Sequence, residues 1–350
     1  MTTTTTPAVT VATGGAAPSD PPLPRARGPV SSAVLAALAG DPVPTVELAD
    51  VDPLGEDLQL ALYVCYELHY RGFAGVAADL EWDPDLLRLR RDLERVFEAA
   101  LRAAVDGGDD VDAEVGPLLV EHLDAAGVSH HLRRRGEHWQ LREYVAMRSL
   151  YHLKEADPQA WVIPRLEGEA KAGLVSVEHD EYGAGRGDRM HARLFGDMML
   201  ELELSAAYGH YLDAAPAEVL AEVNLMSLCG LHRSLRAALV GQFAVVELTS
   251  SPGSERLVRA AERLGCGPAT VGFYAEHVEA DAVHEQVVRL GILAPLLAQD
   301  PSLAGDVVFG IQAANLLDER LSERILAAWS SERSALVSPL ADAPRGASRT

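Results

Sequence analysis

From Ser31 to about Arg333, apolar residues, mostly Leu and Ala, recur at three- and four-residue spacings, and this periodicity restricts the fold more than any other feature. The pattern predicts helices over residues 58–71, 83–105, 115–126, 141–155, 167–181, 189–204, 216–229, 231–248, 255–264, 269–290 and 304–333. Turn-forming runs separate them, such as Trp82-Asp83-Pro84 and Asp106-Gly107-Gly108-Asp109-Asp110. Asp188 is placed to cap the helix that follows it, and Pro216 suits a first helical turn. Aromatic residues make up only 5% of the chain, too few for the strands of a sheet protein. The expected class is therefore all-α: a helical bundle preceded by a smaller helical domain. Residues 1–28, rich in Thr, Ala, Pro and Gly, are expected to be a disordered tail. The N-terminal helical domain spans 29–140, the bundle 141–335, and a second tail 336–350.

The net charge of −22 argues against a nucleic-acid partner, which would require a basic stripe; Arg133-Arg134-Arg135 is too short to supply one. Cys65, Cys229 and Cys266 form no Cys-x-x-Cys pair, as expected of a reducing compartment. The N-terminus lacks the charged and apolar regions of a signal peptide, and no run approaches the roughly 20 apolar residues of a membrane span. A soluble cytoplasmic protein acting on a small molecule, without a membrane partner, is the expectation.

Chemistry-bearing residues concentrate in three segments. In Phe273-Tyr-Ala-Glu-His-Val-Glu-Ala-Asp-Ala-Val-His284, the side chains of His277, Asp281 and His284 fall at i, i+4 and i+7, within about 60° of one another on a helix. Two imidazoles and a carboxylate on one face suit a borderline metal such as iron, although an exposed polar face of an acidic helix would have the same spacing. In Glu178-His-Asp-Glu-Tyr-Gly-Ala-Gly-Arg-Gly-Asp-Arg-Met-His191, a glycine-rich turn separates Glu181, at a helix end, from His191 in the first turn of the next helix. No strand precedes these glycines and no Walker lysine follows, so a tight reversal explains them better than a phosphate loop. The third segment ends in Glu155, which on its own reads as a surface residue beside Lys154. His152, one turn earlier, reads as a packed or supporting histidine. Glu67 and His69 could mimic ligands, but lying in the N-terminal unit they read as structural or interface residues.

These residues resemble those of the haem-oxygenase-like di-iron oxidases and oxygenases, the iron-containing redox enzymes. The likeness covers about residues 30 to 300 and is closest from Glu143 to Glu285. The Glu-Tyr-Gly stretch, with a histidine ten residues after its glutamate, is similar to the branch containing the central domain of the streptozotocin-pathway N-nitrosating enzyme. The resemblance implies two Fe(II) per chain held by Glu155, Glu181, His191, His277, Asp281 and His284, with Glu155 bridging. It puts Glu181 and His191 on one iron with one of the later histidines, and Asp281 with the other histidine on the second. It also implies a carboxylate between the second ligand helix and the last. Glu247, in the otherwise apolar run Leu239-Val-Gly-Gln-Phe-Ala-Val-Val-Glu-Leu, fits that place; the plainer reading is a glutamate at a helix end near Pro252.

The implied activity is activation of O2 as co-substrate through a peroxo-di-iron species, with an external electron donor and possible outcomes including N-oxygenation of an amine or guanidine, desaturation and C–C cleavage. The implied assembly is a homodimer formed through the N-terminal domain, burying apolar surface between Leu58 and Phe73. Competing readings are a metal-free enzyme on the same scaffold using Cys229, and a non-catalytic helical interaction protein. A ferritin-like iron store is disfavoured because the chain has no Glu-x-x-His pair.

Overall fold

A computed structural model describes residues 20–120 and 126–340, and within these every regular element is helical. The α-helices are α1 (Pro29–Leu38), α2 (Glu56–Glu67), α3 (Pro84–Ala104), α4 (Val111–Leu118), α5 (Val128–Arg135), α6 (His138–His152) and α7 (Asp157–Ala160). They continue as α8 (Gly168–Glu181), α9 (His191–Glu201), α10 (Ala217–Leu231), α11 (Arg236–Leu264), α12 (Pro268–Gln286), α13 (Ala294–Gln299) and α14 (Ala304–Ser330). A π-helical segment, Val287–Leu293, follows α12 directly. No described helix is long and apolar enough to cross a membrane.

Local chemistry explains the start of α3. The Asp83 carboxylate accepts from the amides of Asp85 and Leu86 at 3.0 and 2.9 Å, and Pro84 occupies the first helical position. Leu86, Leu89, Leu93, Phe97 and Leu101 then form its buried stripe. Asp188, by contrast, caps nothing: α9 starts at His191, with Met190 at the cap position. The expected break between residues 248 and 255 is also absent, because α11 runs through Pro252. A proline in a helix interior removes one hydrogen bond and costs about 3 kcal/mol. Here Leu248, Ser254 and Leu257 are buried around it, and the Thr249 hydroxyl donates to the Val245 carbonyl at 2.7 Å. Packing on both sides of the proline holds the helix together.

Helix α11 is the central element, packed against α12 and α14. Gly241 and Gly310 let α11 and α14 touch backbone to backbone, since a Cβ at either would collide with a carbonyl of the other helix. The N-terminal helices share this core. Leu58, Leu60, Leu62 and Val64 of α2 are fully buried, covered by α1 and α10 of the same chain. Asn224 of α10 donates to both the carbonyl and the Oε1 of Gln59 at 2.8 Å. The surface expected to pair two chains is therefore closed within one, and α2 is buried all round rather than amphipathic.

Residues 20–28, expected to belong to a tail, are anchored. The Arg25 amide donates to Asp213 at 2.8 Å, and the Pro21 carbonyl accepts from Ala74 at 2.8 Å. At the other end Leu336 is buried and the Val337 amide bonds to the Ala214 carbonyl at 2.8 Å. The rest of both expected tails, residues 1–19 and 341–350, lies outside the described residues; the helix expected over 115–126 ends at Leu118, and residues 121–125 also lie outside.

Candidate metal centre

Five elements bring the candidate donors together: the turn after α6, the C-terminus of α8, the N-terminus of α9, the middle of α11 and the last turns of α12. Glu155 follows α6 in a tight turn that puts Ala156 in the left-handed region at φ 76°. Glu181 ends α8, and the chain reverses through Gly183, Ala184 and Gly185, all at positive φ. A Cβ at Gly183 would sit 2.6 Å from the backbone of Arg189 and Met190, so the close return of the chain that delivers His191 requires glycine there.

The donor atoms fall into two groups. Glu155, His191 and His277 form one, and Glu181, Glu247 and His284 the other; within each, the three donor atoms lie within 4.8 Å of one another. All six residues are buried. Glu181 spans the groups, with Oε2 2.6 Å from His191 Nδ1 and Oε1 3.7 Å from His284 Nδ1. His284 Nδ1 also lies 3.1 Å from Glu247 Oε2. His191 lies with Glu155 and His277, and Glu181 Oε2 is also 2.6 Å from it, a set compatible with the expected pairing; Glu247 joins Glu181 and His284 in the second group. Glu181, rather than Glu155, turns one oxygen to each group. Glu247 is neither at a helix end nor exposed. Asp281 lies on α12 between the two histidines, but its side chain is outside the described residues.

Supporting contacts fix how these donors point. His277 Nδ1 lies 2.8 Å from the Phe273 carbonyl and donates to it, which leaves Nε2 as the lone-pair nitrogen, 3.9 Å from Glu155 Oε2. His284 faces its group through Nδ1 and sets Nε2 3.4 Å from Asp180 Oδ2, the outer carboxylate that metal-binding histidines commonly have. His152 stacks on Phe195 at 4.7 Å and bonds Glu155 Oε1 at 2.8 Å. Burial lowers the pKa of His152, so the neutral ring donates through Nδ1. Burial alone would raise Glu155, yet His152 and His277 hold its carboxyl well below the usual range.

Does this constellation suit a cation? Glu155 Oε2, Glu181 Oε2 and His191 Nδ1 are buried without hydrogen-bond partners among the described residues. Glu181 Oε2 nevertheless lies 2.6 Å from His191 Nδ1, and although burial lowers the pKa of that imidazole, Glu181 raises it overall, as a cation shared with the carboxylate would be welcomed there. Buried groups left in this way are costly unless a positive charge joins them. The donors, imidazole nitrogen and carboxylate oxygen with no thiolate, match iron. Cys229 is fully buried, and burial raises the pKa of its thiol, so it offers no nucleophile. Glu67 and His69 are structural: Glu67 pairs with Lys154 at 3.0 Å and His69 with Glu81 at 2.9 Å.

Two features escape a reading of spacing. Glu178, one turn before Glu181, is buried, and burial followed by Glu181 and Glu247 pushes its carboxyl up to about 9. A cavity of about 630 Å³ opens against both donor groups, lined by Glu155 and His277 of one and Glu181 and Glu247 of the other. A family model described as iron-containing redox enzyme matches residues 142–319, about half of the chain. No curated protein matches the chain.

Proposed function

The chain belongs to the family of iron-containing redox enzymes, and from that premise we propose that it is a non-haem di-iron oxidase or oxygenase acting on a small molecule. The observation that carries this reading is the pair of three-donor groups joined through Glu181 and opening on one cavity. Glu155, His191 and His277 would hold one iron, and Glu181, Glu247 and His284 the other. Asp281 remains a proposed further donor by its position on α12. Bound there as Fe(II), the two irons would supply two electrons for reduction of O2, to be replaced by an external donor.

The residues around the irons do the rest. Phe273 and Asp180 fix the nitrogen that His277 and His284 present, and His152 orients Glu155. The Phe195 and Phe273 rings wall the cavity beside His277 and give that donor an apolar flank.

Glu181 followed ten residues later by His191 supports membership of the N-oxygenating branch, so the specific reaction proposed is oxygen transfer to an amine or guanidine nitrogen. Desaturation or oxidative C–C cleavage on the same site is the alternative, and product mass separates a gain of oxygen from a loss of hydrogen. The primary test is anaerobic Fe(II) titration. Two equivalents should bind to the parent and about one to Glu155→Ala or Glu247→Ala. Failure of the parent to bind iron would favour a non-catalytic scaffold.

A further inference from the structure

Helices α9 and α12 pack side by side and run in opposite directions, so that residues climbing α9 meet residues descending α12. The ring of His191, at the first position of α9, has its centroid 4.4 Å from that of His277. One turn on, Phe195 meets Phe273 edge to face at 5.1 Å. At the last position of α9, the Glu201 carboxylate reaches the start of α12. Its Oε2 accepts from the Ala269 amide at 2.9 Å, and its Oε1 accepts from the Thr270 amide at 2.9 Å and the Thr270 hydroxyl at 2.6 Å. The donor rung and the carboxylate rung thus stand at opposite ends of one ladder.

A helix ordinarily takes its N-terminal cap from the residue that precedes it. Before α12 that residue is Gly267, which has no side chain to offer. A Cβ at Gly267 would collide with the Glu201 carboxylate, so glycine here makes room for a cap delivered by another helix. The negative charge also suits the positive end of the α12 dipole. A local cap would fix only where α12 begins. This one fixes where α12 stands along α9, because three hydrogen bonds to one carboxylate demand a single register, whereas ring contacts tolerate a slide.

We propose that Glu201 is a positioning residue: by tying the start of α12 to the end of α9, it sets the height at which His277 meets His191. His277 lies seven residues beyond Thr270, about 10 Å along the helix, so Glu201 acts on the donors only through α12. A slip of one residue moves a side chain by about 1.5 Å, well beyond the roughly 0.5 Å within which a metal site must be held. That these donors bind iron rests on the di-iron reading; the placement of α12 does not.

The test compares the parent with Glu201→Ala and with Asp83→Ala, which removes a cap of similar kind from α3, a helix that carries no donor. Amide hydrogen exchange of the metal-free full-length proteins reads the placement of α12. In Glu201→Ala, exchange should rise about fivefold from Ala269 through His284. In Asp83→Ala, α12 should exchange as in the parent. Anaerobic Fe(II) titration then reads the donors: Glu201→Ala should bind iron about fivefold more weakly, and Asp83→Ala with the parent's affinity. Glu201→Gln keeps one acceptor oxygen and should recover part of the loss in both measurements; it carries the test if Glu201→Ala does not fold. Faster exchange confined to the first turn of α12, or an Fe(II) affinity equal to the parent's, would overturn the proposal. If the parent takes up no Fe(II), the di-iron reading falls, and exchange along α12 alone decides the role of Glu201.

Discussion

Replacing Glu178 with Gln should stabilise the metal-free protein, and the gain should grow with pH. Glu178 is 3% exposed, neither of its oxygens has a partner among the described residues, and its carboxyl is pushed up to about 9 from an ordinary 4.5. Above pH 4.5 the unfolded chain is ionised at this position, so folding must take up a proton. For a carboxyl raised in the folded state, the stability present below the unfolded value is lost progressively as pH climbs towards the folded one. One pH unit corresponds to about 1.4 kcal/mol, so the penalty is about 3 kcal/mol at pH 7, about 5 at pH 8 and under about 1 at pH 5. A glutamine keeps the shape and the unpaired polar atoms but removes the titration. Guanidinium unfolding of chelator-treated parent and Glu178→Gln at pH 5 and pH 8 measures the difference. The gain at pH 8 should exceed that at pH 5 by about 4 kcal/mol. An equal gain at both values, or a destabilised variant at pH 8, would refute the reasoning.

Three further outcomes follow from the donor geometry and its supports. His191→Ala should keep the helical fold by circular dichroism, bind about one Fe(II) where the parent binds two, and lose O2-dependent turnover; two irons still bound would make His191 a bystander. His152→Phe retains a ring against Phe195 but loses the hydrogen bond to Glu155, and should weaken one iron about 10- to 100-fold in an anaerobic binding isotherm. An isotherm like the parent's would deny His152 a positioning role. Lys154→Met strips the buried Glu67 carboxylate of its counter-ion and should cost about 3–5 kcal/mol of unfolding free energy, whereas a change below about 1 would mean that Tyr208 and the Arg71 amide together satisfy Glu67.

The common face of His277 and His284 is legible in the sequence because helical periodicity alone sets it. The reversal between Glu181 and His191 is legible because its glycines leave few other conformations. How the donors divide between two centres is not, since that depends on side-chain directions where five elements meet, and spacing along one helix says nothing of them. The same limit hides the cavity: Arg148, Glu222 and Asp318 sit on α6, α10 and α14, and each alone reads as a surface charge. Pro252 misleads for a different reason, because a local helix-breaking preference is overridden by burial on either side. The apolar run of α2 correctly signals burial, but apolar residues do not reveal whether the covering surface comes from the same chain or another.

The family match begins at residue 142, inside α6, and ends short of the C-terminus of α14. That boundary marks similarity, not self-sufficiency. At the end of α6 consecutive side chains part company: Lys154 reaches back to Glu67 and lies over the rings of Tyr63 and Tyr70, while Glu155 reaches forward to the donor cluster. One short turn thus answers to two loads. If the proposed iron is held through Glu155, linkage through this turn predicts that loosening the N-terminal helices weakens metal binding, to be measured as a lower Fe(II) affinity in Lys154→Met. A fragment trimmed to the matched region would leave the Lys154 ammonium without its counter-ion and bare the side of α10 that α2 covers. The helices outside the match are therefore structural partners of the donor cluster, and cutting them away should be felt there first.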